Sequence, residues 1–104
     1  MKSTFKLPTM SITIDDYRCK LINKILFSGS PHEVRRFINV AMKSLEAHKV
    51  NGYIIVRFVD KMILELEQFD PVNKNEEQLS NIKTARTVFN QIKSGFEPEP
   101  FRNN

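Results

Sequence analysis

Apolar residues recur at three- and four-residue steps in four stretches of the chain, with polar residues filling the gaps between them. The most apolar of these is residues 53–69, YIIVRFVDKMILELEQF. Advancing by about 100° per residue, Arg57, Asp60, Lys61, Glu65, Glu67 and Gln68 fall in one arc of roughly 160°, opposite Ile55, Val56, Phe58, Val59, Met62, Ile63, Leu66 and Phe69. Tyr53, Ile54 and Leu64 break the segregation. A hairpin turning at Asp60-Lys61 competes, because β-branched and aromatic residues are plentiful. Asp-Lys is not a preferred two-residue hairpin turn, however. A period of two would also mix Ile55, Val59 and Ile63 with Arg57, Lys61, Glu65 and Glu67. The spacing predicts a helix over 53–69, with the broadest apolar face of the four and the most neighbours.

The other three helices carry start signals. Thr13 can cap a helix over 14–27, with Asp16 three residues on and Ile12 positioned to staple onto Tyr17. Its apolar row is Ile14, Tyr17, Leu21, Ile22 and Ile25, interrupted by Arg18. That guanidinium either snorkels to the rim or pairs with an acid, for which Glu65, Glu67 and Glu77 are candidates. Ser30-Pro31-His32-Glu33 sets a cap, a first-turn proline and a capping-box glutamate before a helix over 31–49, with Val34, Phe37, Ile38, Ala41, Met42 and Leu45 inward. Asn75 and Gln78 open a helix over 75–94. Its stripe is Ile82, Ala85, Val88, Phe89 and Ile92, and Ala85 is small enough to let a neighbouring backbone close in. Gly29, Gly52 and Gly95 sit where the periodicities stop, as expected of residues that tolerate the left-handed conformation ending helices.

These elements predict an all-α, four-helix antiparallel (up-down) bundle in one domain over 13–95. Residues 1–12 read as an irregular or extended arm and 96–104 as a flexible, proline-broken tail. A chain of 104 residues is long enough for one core. One cysteine, Cys19, excludes an internal disulfide and suits a reducing compartment. With no apolar run of membrane-spanning length and no signal-peptide core, the expected location is cytoplasmic.

The chemistry of a site is scarce. His32 and His48 lie on one helix facing roughly opposite ways, so they share no metal ion. Cys19, between Arg18 and Lys20, reads as a half-buried small hydrophobe and not as a thiolate nucleophile. Glu65 and Glu67 point apart, Asp15 and Asp16 complement a helix dipole, and no nucleotide-binding loop is present. The sequence therefore predicts no enzyme, no cofactor, no metal and no small-molecule substrate.

Two surfaces stand out. Tyr53, Ile54 and Leu64 lie outside the apolar face of their helix; they are either incidental or a contact for a protein partner, including a second copy in a two-fold homodimer. His32, Arg36 and Lys43 on the second helix, and Lys83, Arg86 and Lys93 on the fourth, form basic rows suited to phosphates, and the net charge of +4 allows an acidic partner. The join ILFSGSPHEVRRFI resembles a helix-turn-helix in its turn glycine and following basic helix. Ile25 and Arg35 stand where that pattern wants a small and an apolar residue, so no binding residue is carried over. The leading expectation is a small non-catalytic interaction or regulatory protein. The alternative is a helical nucleic-acid-binding protein using the two basic rows.

Overall fold

The computed structural model describes residues 5–7 and 10–96, with side chains from residue 13 onward. Four helices account for most of it: α1 (Ile14–Leu26), α2 (Pro31–Ala47), α3 (Gly52–Glu67) and α4 (Glu76–Phe96), with a short 3-10 turn at Pro71–Asn73. The hairpin alternative for the central stretch is overturned, since α3 runs unbroken through Asp60-Lys61. Ahead of α1, β1 (Phe5–Leu7) and β2 (Met10–Ile12) pair antiparallel, Lys6 opposite Ser11, which gives the arm the extended of its two expected forms. The proposed staple of Ile12 on Tyr17 and the tail over 97–104 lie outside the described residues.

Capping follows the sequence closely. Thr13 Oγ1 accepts from the Asp16 amide at 3.0 Å and Ser30 Oγ from the Glu33 amide at 3.2 Å. Glu33 Oε1 reaches one residue past the cap, accepting from the Gly29 amide at 2.7 Å. Asn75 and Gln78 form a reciprocal box, with amide-to-side-chain bonds of 2.7 and 3.2 Å. The bonds from the Asp16, Glu33 and Gln78 amides satisfy donors that the first helical turn leaves without a partner.

Helix ends depart from expectation at the glycines. No glycine has a positive φ; among the described residues the left-handed one is Lys49, at φ 59°. The Lys49 amide donates to the Glu46 carbonyl at 3.0 Å and the Val50 amide to the Leu45 carbonyl at 3.1 Å. This is the Schellman arrangement, with a lysine where glycine is the usual occupant. Gly52 is instead the first residue of α3, capped by Asn51, whose Oδ1 accepts from the Tyr53 amide at 2.7 Å. Gly95 does not stop α4, which continues to Phe96.

All four helices feed one apolar cluster: Leu21, Ile22 and Ile25 of α1; Val34, Ile38, Ala41, Met42 and Leu45 of α2; Ile55, Phe58, Val59, Met62 and Leu66 of α3; Ile82, Ala85, Val88 and Phe89 of α4. The most extensively packed helix is α4, not α3: it packs on α1, α2 and α3, whereas α3 packs on α4 and, less extensively, on α1. Ala85 of α4 is fully buried, while Tyr53, Ile54 and Leu64 leave one side of α3 uncovered.

A polar feature beneath the α1–α2 join has no counterpart in the apolar pattern. Asn81 of α4 is 1% exposed, and its Nδ2 donates to the carbonyls of Ser28 at 2.9 Å and Leu26 at 3.3 Å. Ser28, also buried, donates its hydroxyl to the Lys24 carbonyl at 2.7 Å. One amide thus serves the carbonyls of a helix end that would otherwise be buried without partners.

Candidate functional site

The outer side of α3, where it meets the N-terminal turns of α1 and the α2–α3 join, forms three adjoining depressions. The main one is a groove of about 420 Å³. Ile14, Val50, Ile54 and Phe58 supply its apolar lining, and Arg18, Lys49, Arg57 and Lys61 bring cationic side chains to it. Asp15 is its one carboxylate among the described residues, and His48 and Asn51 also line it. A second depression includes Arg18, Lys61, Leu64, Glu65 and Gln68, and a third Tyr53, Val56, Arg57, Asp60 and Lys61. Lys61 borders all three.

Local structure places these groups. Steps of four, three and four residues put Arg57, Lys61, Leu64 and Gln68 on one stripe of α3. The left-handed turn at Lys49 brings that side chain beside Val50 and Asn51 at the groove. Arg57 lies over the Tyr53 ring, 5.8 Å from its centroid, a cation–π contact within the stripe. His48 caps α2, its Nδ1 2.8 Å from the Ser44 carbonyl.

Arg18 resolves in favour of pairing. Its Nη1 is 2.6 Å from Asp15 Oδ1 and its Nε is 3.1 Å from Glu65 Oε1, which ties α1 to α3. Partial burial works against the guanidinium's charge, but the hydrogen bonds to Asp15 and Glu65 outweigh it and raise its pKa. The Arg18 hydrogen bond holds Asp15 below the usual carboxylate range, opposed in part by burial and aided by the charges of Arg18 and Lys61. By contrast, no described carboxylate forms an ion pair with Lys49, Arg57 or Lys61.

Tyr53, Ile54 and Leu64 are 68%, 42% and 54% exposed, and each borders one of the three depressions. The sequence reading missed the cations among them, Arg57 and Lys61, although their spacing from Leu64 was visible. Lys49 gave no signal, because a lysine does not announce a left-handed turn.

The basic rows fare differently. His32, Arg36 and Lys43 are exposed on α2, with Arg36 at 4.0 Å from Glu33 and over the Phe37 ring. On α4, Lys83 is exposed, Arg86 reaches Glu67 at 3.9 Å and Lys93 reaches Asp60 at 3.0 Å. Two of the three α4 cations thus face α3 carboxylates. Cys19 is exposed and not half-buried, because it falls beyond the stripe of Leu21, Ile22 and Ile25. No group of three or more candidate ligands for a metal ion occurs among the described residues. None of their helices is long and apolar enough to cross a membrane.

These features define a small four-helix protein with an apolar, cation-rimmed groove on one helix face. No family model, curated protein or solved structure matches the chain.

Proposed function

We propose that this chain is a small, non-catalytic interaction protein that docks a partner protein on the outer face of α3. The observation behind this reading is that Tyr53, Ile54 and Leu64, apolar and exposed, all border adjoining depressions on that face. Large side chains left in water beside a groove are the ordinary composition of a docking surface. The scaffold is read as an up-down antiparallel bundle. Supporting this, Glu67 meets Arg86 while Asp60 meets Lys93, and Tyr17 reaches Ala41 while Lys24 lies over Phe37. We place the protein in the cytoplasm, where an exposed free thiol such as Cys19 stays reduced.

The nucleic-acid reading retains the exposed His32, Arg36 and Lys43 of α2, but it has the weaker support because Arg86 and Lys93 are paired. Affinity chromatography on immobilised wild-type chain and its Leu64→Glu and Arg36→Glu/Lys43→Glu variants separates the two. A stoichiometric protein partner lost in Leu64→Glu supports docking on α3. Retention of nucleic acid that falls steeply with salt and is lost in the α2 variant supports the alternative.

A further inference from the structure

We infer that the groove between α1 and α3 receives an acidic, amphipathic peptide segment of another protein; this rests on the docking surface proposed above and names its occupant. Charge complementarity is the first argument. The α3 carboxylates Asp60, Glu65 and Glu67 each have a cation of α1 or α4 within 4.0 Å. Lys49, Arg57 and Lys61, gathered at the groove, have no such acid among the described residues. Asp15, the one carboxylate of the main groove, is held by Arg18.

The apolar lining narrows the chemistry. Inorganic phosphate or another small anion would engage the cations and leave the exposed Ile54 and the half-buried Ile14 and Val50 uncovered. A segment with leucine-like side chains at three- and four-residue steps, flanked by Asp or Glu, covers both. The face of α3 from Ile54 to its cap Gln68 runs for roughly 21 Å at the helical rise, room for several turns of a partner helix.

Lys49 supplies an independent argument. It holds a left-handed backbone at φ 59°, a position glycine fills without strain, and its side chain borders the groove. A positive φ at a residue whose charge lies at the groove fits a use of that charge there.

A second copy of the chain is the poorer occupant. The antiparallel register of α3 on α3 that sets Ile54 on Leu64 also sets Arg57 against Lys61. Like charges at the centre of a two-fold contact oppose that dimer.

The test is selection from a random-peptide display library on the wild-type chain, followed by fluorescence anisotropy of the enriched peptides. Circular dichroism establishes that each variant is folded. The expected result is peptides rich in Asp, Glu and large apolar residues, whose affinity falls roughly tenfold or more in Arg57→Glu/Lys61→Glu and is unchanged in Arg36→Glu/Lys43→Glu. Enriched peptides that are neutral or basic, or that bind Arg57→Glu/Lys61→Glu as well as wild type, overturn the inference, as does a selection that enriches nothing. If Leu64→Glu still abolishes binding of a protein partner in those cases, docking on α3 survives and only the acidic occupant is lost. If neither peptides nor protein partner respond to Leu64 or Arg57/Lys61, both fall.

Discussion

Arg18 Nε stands 3.1 Å from Glu65 Oε1, across 47 residues of chain, and Arg18 Nη1 is at the same time 2.6 Å from Asp15. The arginine joins α1 to α3 at the boundary between two of the depressions. Since Glu65 is over a third exposed, solvent screens the pair. A double-mutant cycle of Arg18→Met and Glu65→Gln, read by urea unfolding, should give a coupling of about 0.5–1 kcal/mol. The acid limb follows from Asp15. Its folded pKa is depressed, so its contribution is present above the unfolded carboxylate value of about 3.9 and is lost as pH falls through the folded value. Asp15→Asn should flatten the stability profile in that range and leave its shape near neutrality unchanged.

Two glycine exchanges in opposite senses test the helix ends. Lys49→Gly relieves a left-handed backbone and should stabilise the fold by roughly 0.5–1 kcal/mol, after allowing for the extra freedom of glycine in the unfolded chain. It should also weaken any ligand of the groove. Gly95→Ala meets nothing within 4 Å in the last turn of α4 and should stabilise by about 0.5–1 kcal/mol without touching the groove. Thermal denaturation of both variants checks the pair.

Asn81 should be the costliest polar residue to lose. Asn81→Ala leaves the Ser28 and Leu26 carbonyls without their donor in a buried place, an expected loss of about 2–3 kcal/mol. Asn81→Asp sets an anion against the same two carbonyl oxygens and should cost more than alanine. Urea midpoints of the two variants give the order.

Ala85 is fully buried in the middle of α4. Ala85→Leu has no space for the added carbons and should destabilise by about 1–3 kcal/mol. A neutral result would mean that α4 is not packed against all three other helices.

Helix positions were legible because periodicity and caps agree: Thr13, Ser30 and Asn75 all accept the hydrogen bonds their positions imply. Asn81 was not, because a buried amide that serves another helix's carbonyls looks like any surface asparagine in one dimension. Assigning α3 the most neighbours failed because apolar breadth measures what a helix can bury, not how many helices the chain path brings against it. Tyr53, Ile54 and Leu64 were legible as departures from the pattern. The cations around them were not, since Arg57 and Lys61 on a polar arc look solvated until α1 and Lys49 come alongside.

The most direct test of the proposed docking on α3 is amide chemical-shift mapping of the isotope-labelled chain titrated with an acidic amphipathic peptide. The account predicts that the largest changes cluster at residues 14–18, 48–51 and 53–68, and that they vanish in Arg57→Glu/Lys61→Glu. Changes centred on His32, Arg36 and Lys43 of α2, with the α3 face silent, would contradict it.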